Sequence, residues 1–263
     1  MSAQMWDLVA AAYAAEVVPM FETFAAEALT RAELDPGVPV VDVACGPGTL
    51  ARLAARAGHP VEAIDFSPKM IALVDALGEG AIHARVGDGE ALPYESGAFG
   101  GGFSMFGLFM FADRAKGFTE LRRVLRPNAK AVVTSWPGLD DAPVLSAMLG
   151  AMRDAMEREG LHIPGPPPGP PALTTRDELY REMSEAFREV EISTVTHTAL
   201  FPSVAELAAS LGRTFAPVVS LRDAFGAARF APVDAAMADA IARTLGDGPP
   251  QLVMPALFGV GKA

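Results

Sequence analysis

The stretch 40–49, Val-Val-Asp-Val-Ala-Cys-Gly-Pro-Gly-Thr, followed by an isolated Asp65 at the end of the next apolar run, limits what this chain can fold into more than any other feature. A buried-type strand feeds a turn of small residues, a helix follows, and a second strand ends in an acid. That is the geometry that presents a nucleotide-like ligand to main-chain amides and a carboxylate. Gly46 and Gly48 permit positive φ and let a ligand approach where a Cβ would intrude. Thr49 then opens a helix whose free N–H groups favour anionic or hydrogen-bond-accepting atoms.

The pattern continues as strands and helices at the pace of a parallel sheet: strands over 38–44, 60–65, 81–86, 99–105 and 130–136, with helices over 48–57, 68–77 and 113–125 between them. Before it, Trp6, Val9, Ala10, Tyr13 and Val17 share one helical face, and Pro19 is expected to restart a second helix that runs to the turn at 35–37. After Trp136 the spacing predicts a helix over 142–159, a Pro-rich stretch at 163–171 of polyproline character, and a helix over 175–186. A β-branched run at 190–198, two or three helices within 203–246 and a closing strand over 252–260 complete the chain. This predicts an α/β fold, a doubly wound, mostly parallel seven-stranded sheet whose last strand is antiparallel, in a single domain over 1–263.

Among 263 residues, 21 Lys and Arg stand against 32 Asp and Glu, a formal charge of −11. Such a field repels phosphate backbones and anionic membrane surfaces, so neither nucleic acid nor a membrane is an expected partner. Cys45 is the sole cysteine, which excludes an internal disulfide, and four scattered histidines offer no zinc-type cluster; no metal is expected, and a reducing, cytoplasmic setting fits. The first basic residue is Arg31, unlike a secretory signal, and the longest uncharged run, 96–112, holds five glycines and falls short of the roughly 18 apolar residues of a spanning helix.

Two cofactor classes fit the first turn. Gly46-x-Gly48-x-x-Ala51 with Asp65 nineteen residues past Gly46 satisfies the dinucleotide fingerprint of a nicotinamide oxidoreductase. Three features point elsewhere. Asp42 sits inside the first strand, where a buried carboxylate demands a polar partner. Asp88, directly after the third strand, places an acceptor where an exocyclic amine could meet it. The closing strands suit an antiparallel pair. No Tyr-x-x-x-Lys pattern supplies a hydride-side proton donor.

At these residues the sequence resembles the class I S-adenosylmethionine-dependent methyltransferases, in the branch of quinone-biosynthesis and natural-product enzymes. VVDVACGPGT, AIDFSPKMI, VGDGEALPYESGAF and ELRRVLRP stand in family order and spacing over 38–136, and the leader WDLVAAAY is similar to the family's N-terminal helix. The resemblance implies methyl transfer from S-adenosyl-L-methionine to a small-molecule acceptor. It implies that Ala44 and Gly46 contact the methionine half, Asp42 orients the ammonium, Asp65 holds both ribose hydroxyls, and Phe66 and Met70 pack on the adenine. Asp88 would take the adenine amine, Gly89 a ring nitrogen, and Met105 would sit near the sulfonium, with Tyr13 folding over the cofactor. It divides the chain into a helical cap (1–35), a cofactor-binding core (38–136), a lid insertion (137–187), and remaining core with substrate-side helices (188–263).

Two departures touch stability: Phe99-Gly100 stands where the family has Phe-Asp, and Pro127-Asn128-Ala129 where it has Pro-Gly-Gly. A third touches chemistry, because 106–111 is apolar where quinone-type members carry histidine, and no catalytic base is evident. A binding protein without catalysis therefore stays open as an alternative. Cys45 reads as a small residue backing the turn, His59 and His83 as solvated, and His162 and His197 as structural or exposed rather than as bases.

Overall fold

The computed structural model describes residues 3–162 and 173–263. The Pro-rich stretch at 163–171 lies outside the described residues. Seven strands, β1 (Val40–Val43), β2 (Val61–Asp65), β3 (Ile82–Val86), β4 (Phe99–Ser104), β5 (Leu125–Ser135), β6 (Arg188–Leu200) and β7 (Gln251–Lys262), form one sheet in the order β3-β2-β1-β4-β5-β7-β6. The first five are parallel, and β7 runs antiparallel between β5 and β6. The sequence expectation of a mostly parallel sheet closed by an antiparallel strand is met. Strand order reverses between β1 and β4, which opens a crevice at their carboxyl ends.

Helices that each bury one apolar stripe cover the sheet, α3 (Thr49–Arg56) and α4 (Pro68–Asp75) on one face, α5 (Arg114–Val124) and α7 (Arg176–Ala186) on the other, while β3 joins β4 through a helix-free connection. Leu50 and Phe103 are fully buried on the first side, and Phe118, Leu121 and Leu179 on the second. Each such side chain contributes about 1.5–3 kcal/mol of burial. Arg114 and Glu182 form a bidentate pair between α5 and α7, at 2.8 and 2.6 Å. α7 begins with a capping box in which Thr175 and Glu178 satisfy each other's amides. Thr175→Ala should cost about 1 kcal/mol, read as a fall of a few degrees in the thermal midpoint.

The remaining helices, α1 (Ala3–Ala12), α2 (Val18–Ala32), α6 (Pro143–Arg158), α8 (Val204–Thr214), α9 (Ala216–Phe225) and α10 (Ala227–Leu245), form an upper layer in which α1 and α2 reach the crevice. α6 packs on α10, whereas α7 packs on α5, β6 and β7. The stretch expected as one insertion over 137–187 is thus divided in its packing, one helix with the upper layer and one on the sheet.

Pro19 stands in the first positions of α2, where a second helix is expected to start, but no break precedes it: the chain passes through a π turn, Tyr13–Val17, where the Val18 N–H donates to Tyr13 O. Pro19 has no N–H to offer the carbonyl four residues back, and the wider turn absorbs that loss. The resulting run, Ala3–Ala32, is also long and apolar enough by composition to cross a membrane, a property missed when only uncharged stretches are counted. In this fold it packs on α3, α4, α8, α9 and β5, with Phe24, Ala25 and Ala28 buried.

His59, expected in solvent, is buried, its Nδ1 donating to Val38 O at 3.1 Å. The glycines after Phe99 have a packing reason: a Cβ on Gly101 would lie 2.4 Å from Leu34 and one on Gly102 2.8 Å from Leu121. β4 is stripped of side chains so that both layers can close on it. Asn128 takes the left-handed conformation, φ 67°, that the missing glycine would supply.

Candidate active site

β1 ends in a bend that few residues adopt. Ala44 has φ 58° and Gly46 φ 53°, and a Cβ on Gly46 would meet no atom within 4 Å, so its main chain is open to the crevice. Asp65, at the end of β2, holds this bend: its Oδ2 accepts from the Gly46 amide and its Oδ1 from the Ser67 amide, both at 2.9 Å. It is buried, and burial raises its carboxyl above the usual carboxylate range against the pull of those amides.

Asp42 is 1% exposed, and neither carboxylate oxygen has a hydrogen-bond partner. Burial, against the weaker pull of the Ala51 amide and with the nearby Asp65 charge adding to it, pushes its carboxyl up to about 7. An orphaned acid on the wall of a cavity is a strong demand for a cationic or donating ligand group.

The crevice has two adjoining chambers. Tyr13, Asp42, Ala44, Gly46, Asp65, Phe66, Met70 and Met105, eight of the ten residues singled out in the sequence, line the first. Asp88 and Gly89 line the second, which shares Ala44, Asp65 and Phe66 with the first. Phe66 is 38% exposed, an apolar ring left open where both chambers meet. Asp88 uses Oδ1 to accept from the Glu90 amide at 2.8 Å. Tyr13, in the π turn, stands edge-on to Trp6 and Phe21; burial first, then Asp65, raises its phenol, which keeps it protonated.

Beyond Met105 the wall is aromatic. Phe106, at φ 56°, stacks on Trp136 with ring centres 4.0 Å apart, and its amide donates to Thr134 Oγ1 at 2.8 Å. Phe21 and Phe24 pack on both rings, and His197 meets Phe24 at 4.5 Å with its Nε2 buried and unpaired. His162 is exposed at the end of α6. Burial raises the Cys45 thiol, in keeping with a packing role. Among the described residues no three His, Cys, Asp or Glu side chains gather as metal ligands. A groove of about 980 Å³ runs between α6 and α10; it is a broad surface valley that none of these acids lines.

Sequence reasoning missed Asp7. Its Oδ1 accepts from Ser67 Oγ at 2.6 Å and from the Lys69 amide at 3.3 Å, while Ser67 Oγ accepts from the Met70 amide. One serine thus caps α4 and ties the leader beside the crevice, a contact sixty residues apart in sequence that no local pattern announces. Glu16 and Arg213 at 2.7 Å tie the π turn to α8 in the same way. Ser67→Ala should cost about 1–2 kcal/mol, measured by calorimetric unfolding.

A family described as a methyltransferase domain matches residues 41–133. The chain is 36% identical over 102 residues to the ubiquinone/menaquinone biosynthesis C-methyltransferase UbiE of Geobacter sp. strain M21, covering 36% of this chain and 43% of that one. To the demethylmenaquinone methyltransferase of Parafrankia sp. it is 32% identical over 173 residues, covering 59% and 67%. The matched stretch spans less than half the length of the Geobacter, Thermus thermophilus and Corynebacterium kroppenstedtii relatives. Among solved structures, the YcgJ protein of Bacillus subtilis shares the fold at a TM-score of 0.61 and 16% identity, over 90% of this chain and 97% of that one.

Proposed function

The chain belongs to the class I S-adenosylmethionine-dependent methyltransferases, and from that membership we propose that it transfers the methyl group of S-adenosylmethionine to a small, partly apolar organic acceptor. The observation that carries the reading is the unpartnered Asp42 carboxylate in the same chamber as Asp65 and the open Gly46 main chain. A ligand ammonium would satisfy Asp42, ribose hydroxyls would find Asp65, and an adenine would lie on Phe66 and Met70 with its amine at Asp88 and a ring nitrogen at the Gly89 amide. Ala44 and Gly46 would give main-chain contacts to the amino-acid half, and Met105 would sit near the sulfonium. Tyr13 and Trp6 would close over the ligand.

When bound, S-adenosylmethionine supplies an electrophilic methyl on a sulfonium. The chain's own contribution is to hold the acceptor in line and exclude water; proximity and alignment alone can account for about 7–11 kcal/mol of barrier. The apolar rings of Phe21, Phe106 and Trp136 favour an acceptor with an apolar face. The names of the relatives make quinol rings the first class to try, and the −11 charge speaks against a phosphate-backbone substrate. The test is thioether product formation from S-adenosylmethionine across a panel of phenolic, quinol and carboxylic acceptors. Turnover with one class supports the proposal, whereas cofactor binding with no turnover on any of them would favour a binding protein.

A further inference from the structure

A strand at the margin of a sheet carries one row of main-chain groups that its own sheet cannot pair. The two margins here are built differently. β3 is five residues long and carries His83 and Arg85, the latter paired with Glu62 at 3.1 Å, so charge blunts that edge. β6 is thirteen residues long, and from 192 to 200 it contains no Asp, Glu, Lys or Arg.

Which groups of β6 face outward follows from its antiparallel register with β7, in which successive residues point their main chain alternately toward the partner strand and away. The Phe201 amide donates to Pro250 O, which turns the odd-numbered residues of β6 inward. Two independent features agree. Pro255, which has no N–H, lies opposite Thr196, where neither residue makes a bond to the other. Arg176 donates to Ile192 O from outside the sheet. Thr194, Thr196, Thr198 and Leu200 therefore present N–H and C=O groups outward. Their side chains are exposed, and Leu200, at 75%, is the most exposed large hydrophobic residue among the described residues.

We infer that this edge pairs antiparallel with the same edge of a second copy, about a two-fold axis at Thr196, so that the seven-stranded sheet continues across the dimer. The sequence of β6 is self-complementary in that register. Thr196 faces the partner's Thr196, Thr194 faces the partner's Thr198, and Ile192 faces the partner's Leu200, which brings the exposed leucine into an apolar pair. No charged residue meets a like charge. An axis at position 190 would instead set Glu189 against the partner's Glu191, a repulsive pairing, and Arg176 already occupies the carbonyl of Ile192 where the ladder should end. The edge is long, uncharged and β-branched over the stretch that a copy would cover, and at its N-terminal end it is held by Arg176 and then charged at Glu191 and Glu189.

Sedimentation velocity of the whole chain at micromolar concentration should give twice the 27.5 kDa of one chain. Thr196→Lys places two ammonium groups face to face at the axis and should return the mass of one chain, as should Thr196→Glu. Mixing the two variants should restore the double mass, which no misfolded variant would do. Each variant should bind S-adenosylhomocysteine as the unmodified chain does, because Thr196 lies at the sheet margin and outside the crevice. The inference is overturned if the unmodified chain sediments as a single copy, or if Thr196→Lys keeps the double mass, which would place any dimer interface elsewhere.

Discussion

Replacing Asp42 with asparagine should stabilise the ligand-free chain at pH 8 while weakening its binding of S-adenosylhomocysteine about 10- to 100-fold, the range for a lost charge-assisted hydrogen bond. The two effects share one cause. Burial raises the Asp42 carboxyl from 3.8 to about 7. For an acid with a raised folded value, the group's contribution to stability is complete below the unfolded value and is lost as pH rises through the folded one. Asp42 therefore costs the ligand-free protein nothing below about pH 4, and a penalty grows to at most about 4 kcal/mol above pH 7. Asparagine has no charge to desolvate. The variant should match the parent within about 1 kcal/mol near pH 4 and exceed it by about 2–4 kcal/mol at pH 8. Thermal unfolding across that range reads the difference, and a gap that does not change with pH would contradict the account of Asp42.

Asp65→Ala should lose on both counts. Its two oxygens are the acceptors of the Gly46 and Ser67 amides, and leaving both donors without a partner should cost about 2–4 kcal/mol of stability. Binding of S-adenosylhomocysteine should weaken by a further 1–3 kcal/mol if the same carboxylate holds the ribose. Asp65→Asn separates the two, since its single oxygen can still accept one amide. Titration calorimetry on the folded Asn variant then reads the ligand term, and unchanged affinity there would remove Asp65 from the ligand's contacts.

The sheet was legible because its strands are of the buried parallel kind. Val40, Val41 and Val43 are buried around the single Asp42, and helices with one apolar stripe follow β1, β2 and β4. The three acids were legible as a set because Asp42 lies within the buried β1, Asp65 ends the buried β2 and Asp88 follows β3 at the same end of the sheet, where a carboxylate has few uses other than a ligand or a turn. What stayed hidden depends on contacts between distant segments. Asp7 has meaning only once α1 lies beside Ser67, and His59 only once its ring meets Val38 O. The Phe106–Trp136 stack joins the ends of β4 and β5, and the sequence showed merely an apolar cluster there. The π turn follows from Pro19, but whether a proline breaks a helix or widens it is decided by what the next turns pack on; here Phe24 and Ala28 are anchored in the core, which keeps the helix going.

The central claim is that the crevice built around Asp42 and Asp65 is a site for S-adenosylmethionine. Isothermal titration with S-adenosylhomocysteine, run beside NAD(H) and NADP(H) and repeated at pH 6 in buffers of different ionisation enthalpy, tests it most directly. The account predicts micromolar binding of the thioether alone, with release of a proton at pH 6 as the ligand ammonium draws Asp42 into its charged form. Saturable binding of a nicotinamide cofactor without the thioether would contradict it.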